Sequence, residues 1–158
     1  EGVFKTPEEQ KKEILKNYQI LTQNIITDTL NGVITNYYDK NSFMGRVLNE
    51  KDKIQYENTI KSYVDPKFLS YCPSASTFGV VDCDGTVHPC EILDKPLGKL
   101  SNFNYDFLKL WKSNQTKSVK KWIKKTKCHC SYECAMTYNV MSNYKYQPRL
   151  IKKGLGLK

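Results

Sequence analysis

The sequence predicts an α+β fold: a helical lead-in, then a small β-hairpin with further helices around it. Three observations carry that expectation. Apolar residues recur at helical spacing through the first third of the chain. Two β-rich runs, Thr77 to Asp82 and Thr86 to His88, meet at Asp84-Gly85, and two short helical patterns bearing Trp111 and Trp122 follow them. The 158 residues, 39% hydrophobic and 12% aromatic, suffice for one core. No apolar run approaches the roughly 20 residues of a membrane span, and no internal repeat or low-complexity stretch occurs.

In chain order, Thr6-Pro7-Glu8-Glu9 reads as a helix start, with Thr6 as N-cap, Pro7 in the first helical position and Glu9 placed for a capping box. Ile14, Tyr18, Leu21 and Ile25 carry the helix to about Leu30, where Asn31-Gly32 breaks it. A second helix is expected from about Asn41 to Val64, with Phe43, Val47, Ile54 and Ile60 as core candidates, and Asp65-Pro66 stops it. Asp84-Gly85 is a strong short-turn signal, so the two β-rich runs pair as a hairpin. Pro89 ends the second run and presents Cys90 at the hairpin's open end, near Cys72. Tyr105 to Trp111 and Ser118 to Lys125 read as short helices with Leu108, Trp111, Val119, Trp122 and Ile123 inward.

Six cysteines, at 72, 83, 90, 128, 130 and 134, all fall beyond residue 70. Cys72-x17-Cys90 encloses the hairpin, and Cys128-x-Cys130-x3-Cys134 packs three sulfurs into a short span. Without a secretory leader, six cysteines are expected to act as ligands more than as disulfides. Soft thiolates in fours select an iron-sulfur cluster or zinc. A structural zinc site favours compact paired knuckles, which the long Cys72 to Cys90 gap fits poorly, although His88 or His129 could replace a thiolate. Cys83 sits at the turn and reads as a free thiol. His88 and His129 are expected to hydrogen-bond or face solvent, and Asp82, Asp84 and Glu91 to serve the turn and surface.

Several segments recur in an order that marks a family: Thr77-Phe-Gly-Val-Val-Asp-Cys-Asp-Gly-Thr-Val-His-Pro-Cys-Glu-Ile-Leu93, then Pro96-Leu-Gly-Lys-Leu100, Tyr105-Asp-Phe-Leu-Lys-Leu-Trp111 and Lys127-Cys-His-Cys-Ser-Tyr-Glu-Cys134. Over residues 70–140 the chain resembles the C-terminal SPASM or twitch domain of radical S-adenosylmethionine enzymes. That resemblance implies one auxiliary [4Fe-4S] cluster. Cys72 and Cys90 would supply two ligands, and two of Cys128, Cys130 and Cys134 the others; Cys134 is expected in the set, with the choice between Cys128 and Cys130 open. Two departures stand out. Pro73-Ser74-Ala75 replaces the family's small residue and glycine, and Cys-x-Cys replaces Cys-x2-Cys.

The resemblance also implies an organisation: residues 1–69 as a helical linker from a partial (β/α) barrel, 70–140 as the cluster domain, and 141–158 as a basic tail. The Cys-x3-Cys-x2-Cys loop that binds the catalytic cluster and S-adenosylmethionine does not occur, since Thr137 stands where its third cysteine would. The expectation is therefore the C-terminal piece of a longer cytoplasmic enzyme, beginning at Glu1 and not Met, and not catalytic alone. Its partners would be the barrel, a peptide or small organic substrate and an electron donor protein. The +9 formal charge and the absence of any acidic residue between Phe107 and Tyr132 leave nucleic-acid binding as an alternative, weakened because both tryptophans are assigned to the apolar side.

Overall fold

The computed structural model describes residues 8–34 and 38–157; Thr6 and Pro7, expected to start the first helix, lie outside the described residues. Helix α1 spans Glu8–Asn31 and stops where the sequence breaks, with Gly32 at φ +81°. Helix α2 (Phe43–Val64) begins on Ser42, whose hydroxyl accepts from the Gly45 N–H at 3.0 Å, and ends at Asp65 because a residue before proline resists helical backbone.

The inner row of α1 is displaced from the expected one. Thr22 is buried while Ile14 and Leu21 are exposed. The helix packs along α2, with Tyr18 edge-on to Tyr56 at 6.3 Å, and that seam runs through Leu15, Tyr18, Thr22 and Ile25. On α2, Val47 and Ile54 are buried as expected, whereas Ile60 is half-buried and Phe43 exposed.

Strands β1 (Val80–Val81) and β2 (Thr86–His88) form the expected antiparallel hairpin, pairing Val80 with His88 and Val81 with Val87. Gly85 takes φ +83° in the turn. Asp84 closes it by accepting from the Thr86 N–H at 2.9 Å and from Lys99 Nζ at 3.1 Å; the Thr86 backbone bond is the main cause of its carboxyl falling to about 2. A third strand, β3 (Gly98–Lys99), pairs with β2, so the sheet has the order β1-β2-β3 and exceeds the expected hairpin by one strand.

A 3-10 turn at Leu100–Phe103 leads into α3 (Phe107–Trp111) and α4 (Asn114–Lys125), capped by the side chains of Asp106 and Ser113. Helices α5 (Glu133–Ser142) and α6 (Gln147–Gly154) complete the chain, and α6 occupies the segment expected as a basic tail. The inward residues of α3 and α4 are Leu110, Val119 and Ile123; Leu108 at 61% and Trp122 at 37% exposure face out, contrary to expectation. Helix α3 has only five residues, too few for periodicity to fix its inner face. Lys95 lies over the exposed Trp122 ring at 4.5 Å.

Two cores result. One gathers Val47, Ile54, Met136, Val140, Tyr146 and Leu150 where α2, α5 and α6 meet. Here Arg149 bridges buried Glu50 (2.6 Å) and Glu57 (3.0 Å), and Asn58 donates to the Tyr146 hydroxyl at 2.9 Å. The other gathers Ala75, Val87, Leu97, Leu110, Val119 and Ile123 with Cys72 among them, and Cys128 packs against it. Asn143 joins the two by donating to Tyr71 O at 2.8 Å, as does the stacked pair Phe78 and Tyr138 at 4.4 Å. No helix among the described residues is long and apolar enough to cross a membrane.

Candidate metal centre

Three separate backbone segments deliver cysteines to the edge of the second core. The first is the loop Cys72 to Phe78. Pro73 O accepts from the Ser76 and Thr77 N–H groups at 2.9 and 3.0 Å, and Ala75, fully buried, adopts φ +60°. That left-handed backbone costs a non-glycine residue about 1 kcal/mol or more. The loop is tied to the second segment at one point: Ser74 Oγ donates to Pro89 O at 2.6 Å, in a buried position. Pro89 thereby sets Cys90 against the Cys72 loop, as its place at the strand end led us to expect.

The third segment leaves α4. Thr126 is the C-cap, Lys127 takes φ +52°, the Lys127 N–H reaches Lys124 O at 3.3 Å and the Cys128 N–H reaches Ile123 O at 3.0 Å. These two bonds with a left-handed residue between them make a Schellman motif, usually built on glycine. Its consequence is that Cys128 is folded back onto Ile123 and into the core. Cys130 follows outside regular secondary structure, and α5 begins three residues later.

The four sulfurs of Cys72, Cys90, Cys128 and Cys130 influence one another. The Cys72 thiol donates to Cys128, and this bond, with burial second, pushes Cys72 well above the ordinary thiol range. The same bond draws Cys128 down, against the opposing effects of burial and of Cys130 and Cys90 nearby. Cys130 is raised, first by burial and then by Cys72 and Cys90. Three of these sulfurs also receive a backbone donor: Ser74 N–H at Cys72, Leu93 N–H at Cys90 (3.3 Å) and Tyr132 N–H at Cys130. At Cys72 and Cys130 these donors oppose the upward shift without overcoming it. Among the described residues, no three His, Cys, Asp or Glu side chains close on one point tightly enough to enclose a single ion. The thiols are gathered, and not closed.

The remaining candidates lie outside the group. Cys83 is exposed at the hairpin turn, as read from the sequence. Cys134 is exposed in the first turn of α5, beside Tyr132, whose hydroxyl is pushed up to about 12 chiefly by its hydrogen bond to Glu91. Spacing alone could not place Cys134. The start of α5 does so, because Ala135 and Met136 are the residues that turn inward there. His88 pairs with Asp82 at 3.3 Å, and His129 contacts Lys127 O at 2.9 Å. The signal that sequence reasoning missed is Ala75 and Lys127, ordinary residues forced into left-handed backbone beside two cysteines. No family model, curated protein or solved structure matches the chain.

Proposed function

We propose that Cys72, Cys90, Cys128 and Cys130 ligate one [4Fe-4S] cluster, and that the chain is the auxiliary-cluster part of a radical S-adenosylmethionine enzyme. What supports the ligand set is that Cys72, Cys128 and Cys130 lie near enough to act on one another, that Cys90 acts on Cys128 and Cys130, and that the Leu93 N–H reaches the Cys90 sulfur at 3.3 Å. The choice of cluster rests on the resemblance over residues 70–140. Four soft thiolates suit it chemically, and a reducing, cytoplasmic setting would keep them available.

When bound, the cluster would supply one-electron chemistry or hold a substrate. The protein's contribution is positional. The Cys72 loop and Pro89 fix two ligands through the Ser74 bond, the Schellman turn fixes the third, and the apolar core behind them limits water. With four protein thiolates the irons would have no open position, which favours electron transfer or structure over substrate ligation. The parent enzyme's substrate would be a peptide or small organic molecule, bound largely by the barrel, where S-adenosylmethionine would also sit.

Anaerobic reconstitution tests the reading. It should give about four irons and four sulfides per chain and a broad visible absorbance that dithionite bleaches. Cys72→Ala, Cys90→Ala, Cys128→Ala and Cys130→Ala should each lose most of the iron, whereas Cys83→Ala and Cys134→Ala keep it. Colourless protein with stoichiometric zinc would replace the cluster by a structural zinc site. Loss of iron in Cys134→Ala with retention in Cys128→Ala or Cys130→Ala would overturn the ligand set.

A further inference from the structure

The outer face of α4 is charged with one sign and left unpaired. Lys117, Lys121, Lys124 and Lys125 are exposed and Lys120 half-exposed, while no acidic residue occurs between Phe107 and Tyr132. Among the described residues some lysines elsewhere find carboxylates, Lys11 with Glu8, Lys61 with Glu57, Lys67 with Asp65, Lys99 with Asp84 and Lys109 with Asp106, and others do not. What sets α4 apart is that its five lysines fall on one helix face with no carboxylate in the surrounding segment. Among the described residues none of the five α4 lysines has such a partner. Like charges three and four residues apart on a helix repel, so the arrangement works against α4 unless something anionic covers it.

We propose that this face docks the acidic surface of a partner protein. The aromatic neighbours decide against nucleic acid. Binding of single strands draws on open aromatic faces on which bases stack, and here the indoles are already engaged. Lys95 covers Trp122 at 4.5 Å, and Trp111 stacks with Phe107 at 5.2 Å under Lys120 at 5.3 Å. The lysines from 117 to 125 span about 12 Å of helix, the scale of a small, electrostatically steered encounter surface and not of a long polyanion groove. The face ends on the turn carrying Cys128, so a partner seated there lies beside the thiol group. The proposal does not depend on which metal those thiols take.

The test uses the whole chain with two probes, a 20-residue poly-L-glutamate and a 20-mer oligothymidylate, with binding read by calorimetry at low and moderate salt. Lys117→Glu/Lys121→Glu/Lys124→Glu should weaken polyglutamate binding about tenfold or more, since each close charge contact contributes to steering and affinity. Lys11→Glu/Lys12→Glu/Lys16→Glu, with the same change in net charge on α1, should change it less than about twofold. The neutral set Lys117→Gln/Lys121→Gln/Lys124→Gln should fall between them and guards against misfolding, which circular dichroism checks directly. Equal losses in the α1 and α4 sets, or no measurable polyglutamate binding, would overturn the proposal. So would oligothymidylate binding much tighter than polyglutamate through the same lysines, which would assign the face to nucleic acid.

Discussion

The two cores are built on different principles. Where α2, α5 and α6 meet, the interior is ordinary apolar packing with polar pairs at its edge, Arg149 with Glu50 and Glu57, Asn58 with Tyr146, and Arg46 donating to Gly154 O at 2.9 and 2.7 Å, while among the described residues Thr59 Oγ1, Tyr63 Oη and Asn139 Oδ1 are buried without a hydrogen-bond partner. Around the thiols the strands are two, three and two residues long, and a cysteine occupies a core position that an aliphatic side chain would normally fill. The thiol-side core places a buried sulfur at Cys72 and left-handed backbone at buried Ala75, with a second left-handed residue, the exposed Lys127, at its edge, and such costs concentrate where a ligand uses them. The comparison teaches that one half packs apolar side chains on helices while the other sets cysteines among short strands and turns.

Metal removal should give the largest effect and should fall on one half only. A structural metal contributes on the order of 10 kcal/mol in small metal-dependent domains. Anaerobic chelation of the loaded chain should therefore reduce hydrogen-exchange protection at Val87, Leu93 and Cys128 about a hundredfold or more, while α2 and α6 amides stay protected. Uniform loss in both halves would break the comparison by showing one cooperative core.

The converse perturbation is Arg149→Ala. It strips the partner from Glu50, whose side chain is 5% exposed, and leaves a buried carboxylate unmatched. Breaking a fully buried pair costs about 3–5 kcal/mol, but Arg149 is itself 44% exposed, so about 2 kcal/mol is expected at neutral pH. Glu57 adds a pH signature. Its hydrogen bond to Arg149 holds its carboxyl below the ordinary value of 4.5. A depressed carboxyl stabilises the fold above its unfolded value and loses that contribution as pH falls through the folded one. The gap between wild type and Arg149→Ala should therefore narrow as pH drops below about 4.5 in denaturant titrations. Iron content of the variant should be unchanged; a parallel loss of metal would show that the halves are coupled.

What could be read in the sequence follows from how local each cause is. The Asp84-Gly85 turn and the stop at Gly32 are set within a few residues, and the expected turn and helix end are present in the structure, as is a bond from Ser74 of the Cys72 loop to Pro89. Strand β3 is two residues long and exists because β2 offers it an edge. The inner face of α1 depends on where α2 meets it, which moved Thr22 inward and Leu21 outward. Spacing also left open where Cys134 would lie, and the structure places it exposed in the first turn of α5.

The smallest effect sharpens the comparison most, because it acts on strain inside the thiol half alone. Lys127 occupies the position of a Schellman motif that glycine usually fills, at φ +52°. Lys127→Gly would relieve about 1–2 kcal/mol of left-handed strain. Against that stand about 0.4–1 kcal/mol from the freer unfolded chain and about 0.5 kcal/mol or less from the contact of Lys127 over Phe68 at 5.8 Å. The balance centres on a gain of about 0.5 kcal/mol and runs from a loss of about 0.5 to a gain of about 1.6, a central rise of about 1–2 °C for a chain of this size. In metal-free protein that gain should appear in exchange protection around Cys128 and leave α2 unchanged. If Lys127→Gly instead lowered protection there beyond that range, the left-handed turn would owe its shape to the lysine side chain, and strain at the thiol segment could no longer distinguish the two cores.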